Sequence, residues 1–390
     1  MSEIKQGYKQ TKVGIIPEDW EDIKIKDIVK VSQGLQIAID DRFTTPAHNR
    51  VFYITIPFIE GKKEEYIENP KSSTLCKKDD ILVVRTGSGV GKIIRGVEGA
   101  FHNNFFKVKP SDNINIDFFY YFLTSPRVQF LMAKYAGNSA IPDLNHGDFY
   151  SLDFLIPPLK EQEKIAEILT TWDKAITKQT ELLRAKELLK IALMQKLLSG
   201  EVRFDGFSDK WEEVKIKDIF EITRGYVLAV TEMSQEQTAE YKYPVYSSQT
   251  KNNGLTGYYK DYLFENCITW TTDGANAGDV NLRKGKFYCT NVCGVLKSDK
   301  GYANQCIAEI LNLVTKNYVS YVGNPKLMNN TMGGIKIKIP KSLPEQQKIA
   351  EVLSLADDEI NLLKNELEEL KLQKKALMQK LLTGEVRVKV

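Results

Sequence analysis

The sequence predicts an α+β protein built from a duplicated unit, in which a globular domain with a twisted β-sheet is followed by a long helix, twice. Three observations predict it: an internal repeat, a heptad pattern in both copies of that repeat, and short β-like runs between them. The 390 residues exceed what one hydrophobic core normally holds, so at least two domains are expected. We place the boundaries at 1–156 (first domain), 157–200 (central helix), 201–339 (second domain) and 340–390 (C-terminal helix).

The internal repeat is strongest in the helices. Residues 161–203 and 345–387 align without a gap, and 23 of the 43 positions are identical. The globular parts repeat faintly, because 20–34 matches 211–225 before the sequences diverge. Two near-identical helices offer two near-identical surfaces, so a partner that binds twice is expected there. Two diverged domains are instead expected to recognise different features.

Each copy of the repeat carries a heptad seam, which predicts that the two helices pair as an intramolecular coiled coil. Lys190 and Lys374 occupy the same polar seam position, which tends to fix register. The alternative is two amphipathic helices that each pack only on their own domain. The helices are expected to begin after prolines, the second after Pro344, and to end at Gly200 and Gly384. The apolar seam residues are Leu169, Trp172, Ile176, Leu183, Leu193 and Leu197 in the first helix, and Leu353, Ile360, Leu363, Leu367, Leu370, Leu377 and Leu381 in the second.

The globular domains show short β-like runs, such as 81–84 and 268–270, and fewer helical stretches, at 118–134 and 304–314. Polar loops rich in Gly, Ser, Asn and Arg follow these strands. The loop at 85–92 and the loop at 271–278 are expected in equivalent places, and a further polar loop covers 246–254.

The side chains in these loops are those that hydrogen-bond base edges and phosphates, so they are the candidate DNA contacts. Arg85 and Arg224 are the preferred base-edge candidates, and Lys92 and Lys251 the preferred phosphate ones. The alternative is a set of solvated loops with no ligand. The full set is Arg85, Thr86, Ser88, Lys92, Asn103, Asn104, Asn138, Asn145 and His146 in the first domain, and Arg224, Tyr226, Ser248, Gln249, Lys251, Asn252, Thr271, Thr272, Asn276 and Asn329 in the second.

Composition narrows the class of protein. The net charge is only +3, from 54 basic and 51 acidic residues, so a nucleic-acid partner must be held by local patches or shared with another subunit. No apolar run is long enough for a membrane span, and the first residues lack the apolar core of a secretory signal. Five cysteines, an odd number, favour free thiols in the cytoplasm over a disulfide framework.

Motifs for chemistry are missing from the sequence. The run 87–92 fails as a phosphate-binding loop, because Thr86 stands where its first glycine belongs and Ile93 where its Ser or Thr would hold Mg²⁺. The cysteine spacing lacks a C-x₂-C pair, so no metal site is expected. With no catalytic triad and no cofactor fingerprint, no catalytic residue is predicted. An enzyme with an unrecognised site and a scaffold that does not bind DNA remain as alternatives.

Several motifs resemble those of the specificity (S) subunit of type I restriction–modification systems, and the resemblance covers the whole chain. The motifs are IPPLKEQ at 156–162 with KIAEIL and LMQKLLSGEVRF after it, the second copy from 339 with KIAEVL and LMQKLLTGEVRV, IPEDW at 16–20 and SAIPDLN at 139–145. The second domain departs from this pattern, since 326–329 reads KLMN where a Pro-Asp-Leu-Asn type of loop is expected.

The resemblance implies that each globular domain is a target recognition domain that reads one half of a bipartite double-stranded DNA sequence. It implies a pseudo-twofold repeat in which the helices form an antiparallel coiled coil, set the spacer and dock two methyltransferase (M) subunits. It also implies that this chain is non-catalytic and binds no cofactor. S-adenosylmethionine would belong to the M subunits, and ATP and Mg²⁺ to a complex that also holds two restriction (R) subunits.

Overall fold

The chain folds into two compact units, each of which holds one globular domain and a piece of both long helices. The first unit comprises Met1–Gln179 and Leu367–Val390, and the second comprises Thr180–Glu366. Each long helix therefore contributes to both units. The boundaries expected from the sequence instead treat each helix as a separate segment. The structure, a computed structural model, describes residues 4–68, 70–87, 89–137, 140–249 and 251–390.

The first domain contains two four-stranded sheets, ordered β4-β11-β8-β9 and β6-β5-β10-β7. It also contains two smaller strand pairs, β1-β2 and β3-β12. Its strands are β1 (Tyr8–Thr11), β2 (Gly14–Pro17), β3 (Glu21–Lys24), β4 (Val29–Gln33), β5 (Arg50–Ile54), β6 (Tyr66–Glu68), β7 (Leu75–Cys76), β8 (Ile81–Val84), β9 (Ile93–Ile94), β10 (Gly99–Phe101), β11 (Phe105–Pro110) and β12 (Asp153–Ile156). Its helices, with the first long helix, are α1 (Ile56–Ile59), α2 (Ile116–Thr124), α3 (Pro126–Ala136), α4 (His146–Tyr150) and α5 (Leu159–Ser199).

The helical stretch expected at 118–134 is two helices, α2 and α3. Ser125 is extended between them and its side chain caps α3 by accepting a hydrogen bond from the Val128 N–H. Pro126 fills the first turn of α3, where its missing N–H costs nothing. The chain thus turns between two amphipathic helices that both pack on the core.

The second domain has one six-stranded sheet, ordered β14-β19-β17-β18-β15-β16, beside the pair β13-β20. One long strand, β18, occupies the place of both β9 and β10, so what forms two sheets in the first domain is continuous here. The strands are β13 (Glu212–Lys215), β14 (Glu221–Arg224), β15 (Tyr243–Tyr246), β16 (Leu255–Tyr259), β17 (Phe264–Thr271), β18 (Val280–Cys289), β19 (Cys293–Lys297) and β20 (Lys336–Ile339). The helices are α6 (Ile216–Ile219), α7 (Gln305–Val314), α8 (Asn329–Gly334) and α9 (Leu343–Leu382).

The long helices supply part of each hydrophobic core. In the first unit, Leu169 of α5 and Leu381 of α9 are buried in the cluster that contains Trp20. In the second unit, Leu197 of α5 and Leu353 of α9 are buried in the cluster that contains Trp270. Burial of each such leucine stabilises its unit by roughly 1.5–3 kcal/mol, so each domain depends on both helices.

Within each unit the pieces of α5 and α9 run in opposite directions and are joined by ion pairs. Lys374 Nζ lies 2.5 Å from an Asp173 carboxylate oxygen in the first unit, and Lys190 Nζ lies 2.6 Å from an Asp357 carboxylate oxygen in the second. The apolar seam residues are all buried or half-buried, whereas Leu182, Leu188 and Leu362, which lie off the seam, are exposed. Lys190 and Lys374, which occupy equivalent seam positions, thus each have an aspartate partner.

Both long helices end at a glycine, as expected. Gly200 and Gly384 each have φ of 73°, a left-handed conformation that glycine adopts without a Cβ penalty. The start of α9 differs from expectation, because the helix begins at Leu343 and includes Pro344 in its first turn. With 41 and 40 residues, α5 and α9 are each about 60 Å long.

Candidate nucleic-acid interface

Three segments of the first domain meet beyond the end of β8. The loop after β8 closes on itself, because the Val84 N–H donates to the Lys92 carbonyl and the Gly91 N–H donates to the Val84 carbonyl, at 2.9 and 2.8 Å. Gly91 has φ of 82°, so this closure favours glycine. We call the following described segments the first loop cluster: residues 85–87, 89–92, 102–104 and 142–146.

Arg85 joins the three segments of the first loop cluster. Its N–H donates to the Asn104 carbonyl, and its carbonyl accepts from the Leu144 N–H. Its guanidinium donates two hydrogen bonds to the Asp143 carboxylate, from Nε at 2.9 Å and from Nη2 at 3.2 Å. The Arg85 side chain is one-third exposed, so the guanidinium is both anchored and accessible.

The second domain builds the same framework beyond the end of β17. The Thr271 N–H donates to the Asp279 carbonyl, and the Gly278 N–H donates to the Thr271 carbonyl, both at 2.9 Å. Thr272 then occupies the place of Arg85, since its N–H donates to the Val292 carbonyl and its carbonyl accepts from the Leu327 N–H. We call the following segments the second loop cluster: residues 272–279, 290–292 and 325–329.

These bonds correct the sequence alignment of the two loops. The loop equivalent to 85–92 is 272–279, one residue later than the sequence suggested, because β17 extends through Thr271.

Each cluster also contains an ion pair between its loop and the facing segment, and the acidic and basic residues exchange places between the two domains. In the second, the acid lies on the loop and the base on the facing segment, with Lys326 Nζ 3.6 Å from an Asp273 carboxylate oxygen.

A close backbone approach fixes the strand that leads into each cluster. A Cβ on Gly34 would lie 2.2 Å from the His102 carbonyl oxygen, and one on Gly225 would lie 2.1 Å from the Cys289 carbonyl oxygen. The residue before each glycine reaches the adjoining turn. Gln33 donates to the Asn103 carbonyl at 2.6 Å, and Arg224 donates to the Asn291 carbonyl. The glycines are therefore required by contact with backbone on the facing turn.

The predicted contacts of the first domain differ in how accessible they are. Lys92 is exposed, and Thr86, Asn103 and Asn104 are half-buried. A groove of about 420 Å³ is lined by Lys92, Thr86 and Asn104 among others. The fold therefore brings these three predicted residues together at one groove, and their contact with DNA stays a prediction. Ser88 and Asn138 lie outside the described residues.

Two predicted residues of the first domain have structural roles. Asn145 caps α4, since its Oδ1 accepts from the Asp148 N–H at 2.9 Å. The ring of His146 packs edge-on against Phe106, with 5.1 Å between centroids. Both are weaker candidates for base contact than Arg85.

The predicted residues of the second domain also separate into two groups. Arg224, Tyr226, Gln249 and Asn252 are exposed, and the side chain of Lys251 lies outside what the structure describes. Asn276 donates to the Ser248 carbonyl at 3.1 Å, which brings the loop before β16 to the second loop cluster. Asn276 therefore connects the second loop cluster to the loop that holds Ser248 and Gln249.

Burial and local bonding weaken three other predictions in the second domain. Thr271 and Thr272 are 7% and 3% exposed, so their side chains offer almost no surface to a ligand. The Thr272 hydroxyl donates to Asp273 within the cluster. Asn329 is half-buried at the start of α8. The sequence alone does not reveal this burial, because a threonine at the end of a strand reads the same in a sequence whether its side chain is buried or exposed.

The chain matches the family model of the type I restriction modification DNA specificity domain twice, at 17–185 and 208–372. The chain belongs to the family of type I restriction–modification specificity subunits. It is 24% identical to the MjaVIII specificity subunit of Methanocaldococcus jannaschii over 99% of this chain and 97% of the relative. The chain is thus a DNA-recognition subunit and not a catalytic one, as the resemblance implied.

Solved structures show that the specificity subunit has the fold of its family. The type I S subunit from M. genitalium matches with a TM-score of 0.63 at 19% identity, over 93% of this chain and 96% of that one. A chain from a study of complex assembly in the type I system matches with a TM-score of 0.56 at 14% identity, over 95% and 99% of the two chains. The α+β prediction with two domains is confirmed.

The two histidines of the first loop cluster, His102 and His146, have lowered pKa values. Burial is the main cause for both His102 and His146, and the positive charges of Arg42 and Arg85, respectively, lower these pKa values further. The His102 ring stays in place by accepting a hydrogen bond at Nδ1 from the Asn104 N–H, at 3.0 Å. Both rings are therefore neutral near pH 7, and the positive charge of the cluster comes from Arg85 and Lys92.

Within the described part of the specificity subunit, no group of three or more His, Cys, Asp or Glu side chains is placed to hold a metal ion. In that same part, no helix is long and apolar enough to cross a membrane. The five cysteines are buried free thiols. Two charged residues of the loop clusters, Asp143 and Lys326, could not be predicted from the sequence, because their ion-pair partners lie far away in the chain.

Proposed function

We propose that the two globular domains of this specificity subunit each read one half of a bipartite double-stranded DNA target, through the first and second loop clusters. One observation carries this proposal. The clusters share the same backbone hydrogen bonds but present different side chains, with Arg85 and Lys92 of the first replaced by Thr272 and Asp279 in the second. A shared framework with divergent side chains is what two readers of different sequences require.

The chemistry of the exposed side chains supports DNA as the ligand. Arg85 offers a planar fork suited to a base edge, and exposed Lys92 offers a point charge suited to a phosphate. In the second domain, Arg224 and Gln249 are exposed on the surface around the second loop cluster. We propose that residues 1–156 and 201–339 are the two target recognition domains.

For the helices, we propose an antiparallel coiled coil with a pseudo-twofold repeat, which sets the spacer between the half-sites. The opposite directions of α5 and α9 within each unit support it, as do the buried seam residues. The pairs Asp173–Lys374 and Asp357–Lys190 support the repeat, because a shift of 184 residues exchanges them.

The partners follow from the same repetition. Near-identical helix surfaces suit a protein that binds twice, and we propose two methyltransferase subunits, which would bring S-adenosylmethionine and the catalytic groups. In a restriction complex, two restriction subunits would add ATP- and Mg²⁺-dependent cleavage. The free thiols support a location in the cytoplasm, where thiols stay reduced.

The test is long-read sequencing of native genomic DNA from cells with and without this chain, scored for N6-methyladenine. We expect one bipartite motif with a fixed gap to lose its methylation when the chain is absent. Unchanged methylation, in cells that express both this chain and its methyltransferase, would contradict the proposal. DNA methylation by the purified chain with S-adenosylmethionine alone would show an enzyme instead.

A further inference from the structure

The Arg85 guanidinium is held along one of its edges. It carries five N–H groups in a rigid plane, and the two bonds to Asp143 use one on Nε and one on Nη2. The edge formed by Nη1 and the second hydrogen of Nη2 points away from that carboxylate by the geometry of the group. Such an edge can donate two parallel hydrogen bonds to O6 and N7 of guanine.

We propose that Asp143 is a positioning residue that aims this edge of Arg85 at a guanine in the first half-site. The inference rests on the proposed function of the first domain. An unanchored arginine loses side-chain rotamer freedom when it binds a base. Asp143 imposes that restriction before DNA arrives, and it also favours one orientation of the guanidinium plane.

The backbone keeps the Asp143 carboxylate itself in place. The preceding carbonyl, of Pro142, accepts from the Gly87 N–H at 3.0 Å, and the following N–H, of Leu144, donates to the Arg85 carbonyl at 2.9 Å. The aspartate is thus fixed on both sides to the loop that carries its partner. Its side chain is 40% exposed and that of Arg85 is 33% exposed, so the pair lies at the surface where DNA can reach it.

The second domain provides a built-in comparison. Thr272 replaces the arginine there, and the base of the charge pair, Lys326, lies on the opposite segment with a half-exposed side chain. Lysine is a flexible point charge without a fork, so Asp273 cannot position a bidentate donor. The inference therefore applies to the first half-site alone.

The test uses the complex of this chain with its methyltransferase and a binding selection on DNA randomised in the first half-site. We expect Arg85→Ala to reduce discrimination at one G·C pair by about 5- to 100-fold. Asp143→Asn should reduce discrimination at the same pair by a smaller factor, and the double variant should lose no more than Arg85→Ala. Asp143→Glu, which keeps the carboxylate, should recover part of the loss.

Controls separate this inference from the function on which it rests. Asp273→Asn should leave discrimination in the first half-site unchanged, and thermal unfolding should show that Asp143→Asn is folded. If Asp143→Asn discriminates as well as wild type, or if it weakens binding equally for all sequences, Asp143 does not position Arg85. If the wild-type complex shows no sequence preference at all, the proposed function itself fails.

Discussion

Glu161 is a buried carboxylate that ties the end of the chain to the first domain. It is 1% exposed, accepts from Trp20 Nε1 at 3.0 Å, and receives Arg387 Nε and Nη2 at 2.7 Å each. The second unit repeats this arrangement with Glu345 and Arg203, whose two bonds are 2.8 Å. The glutamate and arginine that are identical in both copies of the repeat therefore form one buried ion pair in each unit.

We predict that Arg387→Met lowers the free energy of unfolding of the first unit by about 2 kcal/mol. It leaves the buried Glu161 charge without its cation, and the figure is below the range for fully buried pairs because Arg387 is partly exposed. The double variant Glu161→Gln with Arg387→Met should lose less, since the charge is gone as well. Urea unfolding measures both, and equal or greater loss in the double variant would contradict this account.

The lowered pKa of His102 predicts that the stability of the folded chain depends on pH. Its pKa in the folded chain is lowered by burial and then by Arg42, so the folded state binds fewer protons than the unfolded state. Stability from this group is complete above its unfolded pKa of about 6.5. It is lost as the pH falls from there through the lower pKa of the folded state. Between pH 7.5 and 5.5 the midpoint of thermal unfolding should therefore fall less in His102→Asn than in wild type.

The asparagine oxygen can still accept from the Asn104 N–H, which makes His102→Asn a conservative change. The same pH series on His48→Asn gives a matched control, because His48 lies in an exposed loop. A His102→Asn variant with the full wild-type pH dependence would exclude His102 as its source.

At this scale the sequence predicted residue types better than roles. Loop chemistry predicts Arg85 and Lys92 as DNA contacts, and both lie in the first loop cluster, but their role stays a prediction. Asn145 was chosen for the same chemistry but caps a helix. Asp143 was missed because its role depends on a partner 58 residues away, and composition carries no signal for such a pair.

Among the elements, the seam lysines of α5 and α9 give the clearest prediction. Lys190→Leu combined with Lys374→Leu should raise the free energy of unfolding by about 1–2 kcal/mol, because a polar residue in an apolar seam costs stability. The aspartate left behind at each position is about 40% exposed, so losing its lysine partner costs little. The double substitution should also weaken the register, so the gap of the methylated motif should become heterogeneous. Urea unfolding and methylation sequencing measure the two effects.

Lys371→Leu serves as the control for the seam, since Lys371 is off the seam and half-exposed, and pairs with Glu368 of its own helix. It should change neither the gap nor the stability appreciably. A single fixed gap in the Lys190→Leu and Lys374→Leu variant would show that the lysines do not set register.

The elements themselves were predicted unevenly. Periodicity identified both long helices to within a few residues, because a heptad repeated over that length is a strong signal. The merging of two sheets through β18 was not foreseen. It depends on whether the chain between two paired segments continues as one strand, as β18 does despite a bulge near Gly285, or turns near Gly96, where φ is 85°. Tertiary packing settles such a choice.

For the whole molecule, the prediction concerns the distance between half-sites. The division between units crosses α5 after Gln179 and α9 after Glu366. Inserting one heptad at both points keeps the seam in phase and lengthens each helix by about 10 Å. The gap of the methylated motif should grow by roughly three base pairs.

An insertion in α5 alone is the matched control for that experiment, because it puts the two seams out of step and should abolish methylation of any single bipartite motif. An unchanged gap in the double insertion would mean that the helices do not set the spacer.

The first unit is built from two separate stretches of the sequence, and this determines the order in which the two units can be completed during translation. The second unit is one continuous stretch, Thr180–Glu366, whereas the first needs Leu367–Val390 to bury Trp20 and to neutralise Glu161. On the ribosome, the domain that is translated first is therefore the last to be completed. Its core stays partly exposed until the final helical turns emerge, so a chaperone or a protease meets this half of the molecule for longer.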